Sequence, residues 1–255
     1  MFALFLLMLA APAFASITFV PGGYATTEAS SNGISPLSVG SGYFDHGAQG
    51  SGRMQQLFAA SEFTQGQALS ITQFAFRDDS EDTNLAFDAT LQNIQVFMDT
   101  TPQTIGGISA TFANNTNSEQ LVYSGPITFH IPADNNTPRC FCYTFPFSTP
   151  YVYIPANGNL LIDIKIILGN DPNNSSLPTL DFARGDTSVM GIAVDYSSSS
   201  DASGVAAGNY GWPTQFTFDI VSPEPGSWVL ALSGLAAILI IRHRRVRAAV
   251  TASRF

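Results

Sequence analysis

Lysine is nearly absent from this sequence: Lys165 is the only one in 255 residues, and all charged residues together make up 11%. This scarcity argues against the long Lys/Glu helices of a helical bundle. Its two cysteines cannot supply the disulfide scaffold of a small secreted domain. The chain is rich instead in glycine (21), proline (15) and aromatic residues (12%), which favour strands and turns over helix or disorder. At this length it can bury the core of one large β domain.

Basic residues are scarce in the body of the chain and gather at its C-terminal end. Residues 16–221 carry 18 acidic residues against five basic ones, a net charge of −13, whereas five of the ten basic residues follow residue 241. An acidic body repels phosphate, so we expect no nucleic-acid partner. A solvated acidic surface is the simpler explanation of the excess, and a site for cations or for a basic partner is the alternative.

The N-terminal end predicts a secretory signal peptide over residues 1–15. Phe2–Leu9 is an unbroken apolar run, and Ala13 and Ala15 supply an A-x-A site for signal peptidase. No Lys or Arg precedes the run, so the α-amino group is its only positive charge. A buried strand or helix is the alternative.

The C-terminal end predicts a single transmembrane helix. Gly226–Ile241 are sixteen residues without a charge, enough to span about 24 Å of a hydrocarbon core of about 30 Å. Four arginines follow this run: Arg242, Arg244, Arg245 and Arg247. Trp228 suits the outer headgroup layer and the arginines suit the cytoplasmic side. This arrangement places the body outside the inner membrane and residues 248–255 in a cytoplasmic tail.

Pro223, Glu224 and Pro225 stand just before this helix. Together the Pro-Glu-Pro motif, the apolar span and the arginine cluster, residues 222–247, resemble the PEP-CTERM sorting signal of Gram-negative bacteria. The resemblance implies recognition by an exosortase, a membrane-embedded cysteine transpeptidase, which removes the helix and delivers the body to the cell surface or to an exopolysaccharide-rich biofilm matrix. The three motif residues are then features of a substrate, because the prolines hold Glu224 extended and outside the helix.

Hydrophobic alternation predicts strands throughout residues 17–221. Phe216, Phe218 and Ile220 share one face of the segment Thr214–Ile220, and Asn159–Leu168 repeats the pattern. Further candidates, separated by polar turns, are Ile17–Val20, Leu69–Arg77, Phe87–Met98, Gln120–Ser124, Ile127–Ile131, Phe141–Phe147, Tyr151–Ile154 and Ser188–Val194. About ten strands predict an all-β domain over residues 16–221, a two-sheet antiparallel sandwich of jelly-roll type.

Two segments depart from simple alternation. Within Phe87–Met98 the alternating apolar residues switch from odd-numbered to even-numbered positions. This switch predicts a β-bulge near Gln92 and Asn93. The apolar residues of Arg53–Ala60 have helical spacing, so this is the one place where we expect a helical turn.

Four stretches of the body carry a second resemblance: Arg53–Phe63, Phe112–Asn115, Thr149–Tyr153 and Gly158–Asp163. They are similar to a recurring group of exported PEP-CTERM proteins. That group has no assigned activity, so the resemblance implies the fold and the exported location and assigns no catalytic residue.

Catalytic motifs are missing from the sequence. It has no G-x-S-x-G elbow, no P-loop and no H-E-x-x-H. Its three histidines, His46, His130 and His243, have no ligand or catalytic partner at motif spacing, and ordinary surface or hydrogen-bonded histidines are the simpler interpretation. We therefore predict that the chain is not an enzyme, that no residue is catalytic, and that it holds no metal or cofactor, with calcium as the one candidate.

Two turns rich in acidic and amide side chains, residues 78–84 and 170–174, could supply oxygen ligands to calcium. The candidate ligands are Asp78, Asp79, Asp82 and Asp171. Neither turn follows the spacing of an EF-hand, and a solvated turn is the simpler interpretation.

One residue, Phe141, separates Cys140 from Cys142. In the oxidising compartment that the export signals predict, the two cysteines form either a local disulfide or an idle pair of thiols. A redox site would need a C-x-x-C at the start of a helix.

These features predict an exported surface or matrix protein whose partners are signal peptidase, an exosortase and, before processing, the membrane. The alternative is a carbohydrate-binding module or adhesin for extracellular polysaccharide, with calcium in its acidic loops. Tyr143, Tyr151 and Tyr153 could then form an exposed platform for sugars, although the edge of the core is the simpler place for them. A carbohydrate hydrolase, the third hypothesis, would need two carboxylates facing a cleft.

Overall fold

The computed structural model describes residues 15–29, 31–32, 51–79, 86–170, 180–185, 188–195 and 198–221. All of these except Val221 belong to one unit, Phe14–Ile220, and the other unit comprises Met1–Ala13 and Val221–Phe255. Apart from Ala15, the predicted signal peptide lies outside the described residues, as do the Pro-Glu-Pro motif, the apolar span with Trp228 and the arginine cluster.

Within the described residues the chain is all-β, as predicted, and its helices are 3-10 helices of three or four residues. The strands are β1 (Ser16–Val20), β2 (Ser31–Asn32), β3 (Gly52–Phe58), β4 (Ala68–Phe76), β5 (Phe87–Thr101), β6 (Gln120–Ile131), β7 (Tyr143–Tyr153), β8 (Asn159–Asn170), β9 (Asp181–Arg184), β10 (Met190–Asp195), β11 (Val205–Gly208), β12 (Tyr210–Gly211) and β13 (Thr214–Val221). In this part of the chain no helix has the length and apolar character needed to cross a membrane.

The strands form three sheets. Their orders are β1-β13-β4-β7 in a four-stranded sheet, β11-β10-β3-β8-β5-β6 in a six-stranded sheet and β12-β9-β2 in a three-stranded sheet. Antiparallel pairing joins β1 to β13, β4 to β7, and each successive neighbour of the six-stranded sheet. The first and last strands therefore lie side by side, with Ser16 opposite Phe218.

The two larger sheets share one core, because apolar side chains alternate along their strands and meet between them. The ring of Phe58 on β3 lies edge-on to Phe216 of β13, with centroids 5.0 Å apart. Phe129 of β6 is 5.2 Å from Phe145 of β7. Trp212, just before β13, is the largest fully buried side chain among the described residues. Aromatic rings thus bridge the sheets.

A smaller apolar cluster lies apart from the main core. It consists of Leu57, Ile108, Phe112, Leu161 and Ala193, none of them more than 8% exposed. Three of these residues come from β3, β8 and β10, on the face that points away from the main core. The other two come from the connection between β5 and β6, residues 102–119, here called the covering segment. It packs over the outer face of the six-stranded sheet.

The predicted bulge in β5 is confirmed. The register of β5 shifts between Leu91 and Ile94 against β6, and between Asn93 and Ile94 against β8. Leu91, Ile94, Val96 and Met98 are all fully buried. The bulge therefore returns both halves of a fifteen-residue strand to the same face.

The helical turn expected over Arg53–Ala60 is wrong, because this segment forms β3 (Gly52–Phe58), a strand inside the six-stranded sheet. Met54 and Phe58 point into the main core, whereas Leu57 on the other face belongs to the smaller cluster. A strand that is buried on both faces loses the alternation that identifies strands, which explains the error. The short strand β11 (Val205–Gly208) was not among the predicted strands.

Removing the Phe216 ring should destabilise the body strongly. Its side chain is fully buried and contacts Phe58, Phe63 and Phe74, so Phe216→Ala leaves a cavity at the centre of the core. We expect a loss of about 3–5 kcal/mol, seen as a melting temperature lower by about 10 °C in calorimetry. Gln215→Ala, on the opposite face of β13, is the control. Equal effects of the two substitutions would contradict the described burial.

Candidate functional site

Two of the four predicted calcium ligands, Asp78 and Asp79, lie just after β4. Asp78 and Asp79 are 3% and 2% exposed, and a carboxylate oxygen of Asp78 accepts a hydrogen bond from Arg139 Nη1 at 2.9 Å. A guanidinium in contact with Asp78 supplies the positive charge that a cation would bring. Asp82 and Asp171 lie outside the described residues. No group of three or more metal-ligating side chains occurs in the part of the chain that the structure describes.

A second buried ion pair joins Arg77, at the end of β4, to Asp181, at the start of β9. Both side chains are at most 1% exposed, and Arg77 Nε donates to Asp181 Oδ2 at 2.7 Å. The guanidinium also donates to the carbonyls of Tyr24 and Thr27, while Asp181 accepts from the Ala29 amide at 3.1 Å. The pair therefore fastens residues 24–29 to β4 and β9.

The two cysteines lie beside these ion pairs. A disulfide joins Cys140 to Cys142, with their Cα atoms 5.2 Å apart. Phe141 between them contacts the ring of Phe19 at 5.2 Å and lies over the Arg77 guanidinium, 5.2 Å from the ring centroid. The disulfide loop thus places an aromatic ring over one ion pair, while its neighbour Arg139 forms the other.

A third polar cluster lies under the covering segment, on the outer face of the six-stranded sheet. Arg53 Nε lies 3.1 and 3.0 Å from the two carboxylate oxygens of Asp163, and Arg53 Nη2 also donates to this group. Gln55 Nε2 donates to Asp163 at 2.7 Å, and Gln55 Oε1 accepts from Asn115 at 2.8 Å. Arg53, Gln55, Asn115, Asp163 and Glu119 are here called the Arg53 cluster. The register of the sheet explains it, since Gln55 stands directly opposite Asp163.

Glu119, the last residue of the covering segment, is the titratable member of this cluster near neutral pH. Burial, then the charge of Asp163, raises the pKa of Glu119 to about 7, against the opposing charges of Lys165 and Arg53. Arg53 Nη2 is 3.9 Å from Glu119 Oε1 but in close contact with Asp163. The single Arg53 guanidinium therefore faces both carboxyl groups, and it lies closer to Asp163 than to Glu119.

The Glu119–Asp163 pair lacks the geometry of a glycosidase. Such enzymes place two carboxyl groups about 5–10 Å apart around the scissile bond. Here Arg53 contacts Asp163 and lies 3.9 Å from Glu119 Oε1, and Asp163 is 1% exposed. Asp163 is therefore not presented to a cleft that could hold a sugar.

The tyrosines proposed as a sugar platform are buried. Tyr143 and Tyr153 are fully buried and Tyr151 is 8% exposed. The Tyr151 hydroxyl is 2.8 Å from that of Thr100, and the Tyr153 hydroxyl donates to the Gly158 carbonyl at 2.8 Å. The platform hypothesis is therefore wrong, and all three tyrosines belong to the main core rather than to a core edge with hydroxyls at the surface.

An open pocket lies where β5 begins and β6 ends. Its volume is about 450 Å³, and Ala86, Asp88, His130, Ile131 and Pro132 line it. His130 Nδ1 is 2.8 Å from Asp88 Oδ1, and both side chains are at least 70% exposed. The next outward-facing pair along these strands, Thr90 and Thr128, joins its hydroxyls at 2.8 Å. The pocket thus offers exposed donors and acceptors for a polar ligand.

Sequence reasoning missed the buried Arg–Asp pairs, although one signal for them was present. The body has only five basic residues, and Arg53, Arg77 and Arg139 each pair with an aspartate that is at most 4% exposed.

Comparison with models of protein families, with curated proteins and with solved structures gives no match to this chain.

Breaking the Arg77–Asp181 pair should cost about 3–5 kcal/mol, because Arg77→Met leaves a buried carboxylate without its cation. The double substitution Arg77→Met with Asp181→Leu should recover part of this loss. Arg184→Met, at an exposed arginine of β9, is the control and should change stability by less than about 0.5 kcal/mol. Chemical denaturation measures all three. A similar loss in the Arg77 and Arg184 variants would show that the pair has no special role.

Proposed function

We propose that this chain is an exported surface or extracellular-matrix protein without enzymatic activity, which an exosortase processes at its C-terminal signal. The ordered series of Pro223-Glu224-Pro225, the uncharged run Gly226–Ile241 and the arginines after it carries the proposal. The body is then a jelly-roll-like sandwich released from the inner membrane to the surface or to a biofilm matrix.

Two features of the body support this proposal. β1 starts one residue after the predicted signal-peptidase site, and β13 ends two residues before Pro223. Because Ser16 lies opposite Phe218, both ends of the body can reach one membrane at the same time. The disulfide between Cys140 and Cys142 is typical of proteins that fold in an oxidising compartment.

Mass spectrometry of the mature protein from its own host tests the processing. The main surface species should start near Ser16 and lack residues 230–255. Replacing Pro223, Glu224 and Pro225 together by alanine should leave the apolar span attached, since the motif is then missing. If the main surface species of the unmodified chain keeps residues 230–255, exosortase cleavage is rejected. A reporter fused after Asp219 that proves cytosolic would reject the exported location itself.

The open pocket favours a second candidate function, binding of extracellular polysaccharide. Exposed carboxylate, imidazole and threonine hydroxyl groups on one face suit the hydroxyls of a sugar. In this proposal calcium would bind in the acidic turns near Asp82 and Asp171. The pocket residues Asp88 and His130 come from β5 and β6, so a rigid sheet would position them.

A glycan array tests this second function. If the pocket binds sugar, His130→Ala should weaken binding about tenfold, which corresponds to the loss of about 1.4 kcal/mol of contact energy. Asp201→Ala, which removes an exposed carboxylate elsewhere, should leave binding unchanged. A chelator that abolishes binding would assign a role to calcium. Absence of glycan binding, together with a melting temperature unaffected by calcium, would remove this candidate.

A further inference from the structure

Most cations of the body are withdrawn from its surface. Arg53, Arg77 and Arg139 pair with buried aspartates, and their side chains are 13%, 0% and 6% exposed. Lys165 is half-buried. Of the basic residues that the structure describes, Arg184 is the one that is exposed. A ligand that approaches the body therefore meets few positive charges.

Carboxyl groups dominate the charge that remains at the surface. Five of the acidic residues that the structure describes are buried: Asp78, Asp79, Asp99, Asp163 and Asp181. Eight others are half-buried or exposed: Glu28, Glu62, Asp88, Glu119, Asp134, Asp195, Asp201 and Asp219. At the described surface these eight carboxyl groups stand against Arg53, Lys165 and Arg184. Such a surface attracts cationic ligands and repels anionic ones.

The open pocket at the start of β5 and the end of β6 has the same character. None of the five residues that line it is a lysine or an arginine, and Asp88 contributes a carboxylate that is 70% exposed. His130, 2.8 Å from Asp88, is its imidazole partner. Lys165 of β8 stands opposite Gln95, seven positions beyond Asp88 on β5, or about 20 Å along the strand. That distance exceeds the range over which exposed charges interact strongly in salt solution.

We propose that the polysaccharide bound by this pocket carries free amino groups, and that their ammonium ions pair with the Asp88 carboxylate. This inference rests on the second candidate function, polysaccharide binding, and names the chemical class of its ligand. An ammonium group donates a charge-assisted hydrogen bond to a carboxylate, which is stronger than the neutral bond of a sugar hydroxyl in the same place. A uronic acid or sulfated sugar would bring a second negative charge beside Asp88, and the two would repel each other.

The rest of the pocket suits the uncharged parts of such a sugar. The hydroxyls of Thr90 and Thr128, one outward-facing pair further along the two strands, can donate to and accept from sugar hydroxyls. Pro132, which lines the pocket and is exposed, offers an apolar surface to the C–H groups of the ring. Asp88 therefore selects for charge, while its neighbours accept the common features of sugars.

A glycan array with neutral, amine-bearing and uronate-bearing glycans tests this inference on the full chain. At a pH where both the sugar amines and the aspartates are charged, amine-bearing glycans should bind about tenfold more tightly than neutral glycans of the same linkage. This ratio, about 1.4 kcal/mol, is the gain expected from a charge-assisted hydrogen bond over a neutral one. Uronate-bearing glycans should bind most weakly. Added salt should reduce the preference for amines, because it screens the attraction between exposed charges.

Two variants that remove the same charge separate the pocket from the general acidity of the surface. Asp88→Asn keeps the shape of the side chain, so the protein should then bind amine-bearing and neutral glycans equally well. Asp219→Asn, on β13 in the four-stranded sheet, should keep the tenfold preference. Neither residue is buried, so the melting temperatures of both variants should match that of the unmodified chain.

Several results would overturn the inference while polysaccharide binding stands: equal binding of neutral and amine-bearing glycans, an unchanged preference in Asp88→Asn, or tightest binding of uronates when calcium is added. A lysine oligomer that binds as tightly as an amine-bearing glycan of equal charge, and that loses affinity in Asp88→Asn, would also overturn it, because the partner would then be a basic peptide. If no glycan binds, the second candidate function fails and this inference fails with it.

Discussion

Three aspartates of the body are buried in contact with three of its five basic residues. The rest of this structure depends on these ion pairs. Arg53, Arg77 and Arg139 bind Asp163, Asp181 and Asp78, partners that lie 110, 104 and 61 residues away in sequence. Buried ion pairs add little net stability, because desolvation offsets their attraction, but an arrangement that leaves one charge unpaired is heavily disfavoured. The Arg77 and Arg139 pairs therefore fasten loops to the ends of β4 and β9, the Arg53 pair joins β3 to β8, and the aromatic core supplies the cohesion.

Local patterns predicted strands such as β13 because they have one face in the core and one towards polar surroundings. Phe216 and Phe218 on β13, and the bulge that interrupts β5, were readable in this way. β3 was not, since Leu57 and Phe58 are both fully buried, on opposite faces. The covering segment that buries the outer face of β3 contributes Phe112 from more than fifty residues further along the chain, and no local pattern contains that information.

The polar sites were harder to predict for the same reason. Asp78 begins an acidic run, which suggested a solvated turn or a calcium loop. Its hydrogen bond with Arg139 forms because the end of β4 lies next to the chain just before β7. Glu119 stands among polar neighbours and gives no signal in sequence, because its raised pKa depends on burial and on Asp163. The export and sorting signals stay predictions; they rest on contiguous segments, namely apolar runs, prolines and an arginine cluster, and lie almost wholly outside the described residues.

The pairing of Ser16 with Phe218 closes a chain loop of about 200 residues. Closure of so long a loop costs only slightly more entropy than closure of a short one, but the two partners appear at opposite ends of synthesis. The edge strand of the four-stranded sheet must therefore wait for nearly all of the body to emerge, and non-local pairing of this kind is slow to form. Until then β4 lacks its neighbour β13, and its open side is a surface on which a second unfinished copy could add a strand, so rapid completion of this last step protects the chain from aggregation.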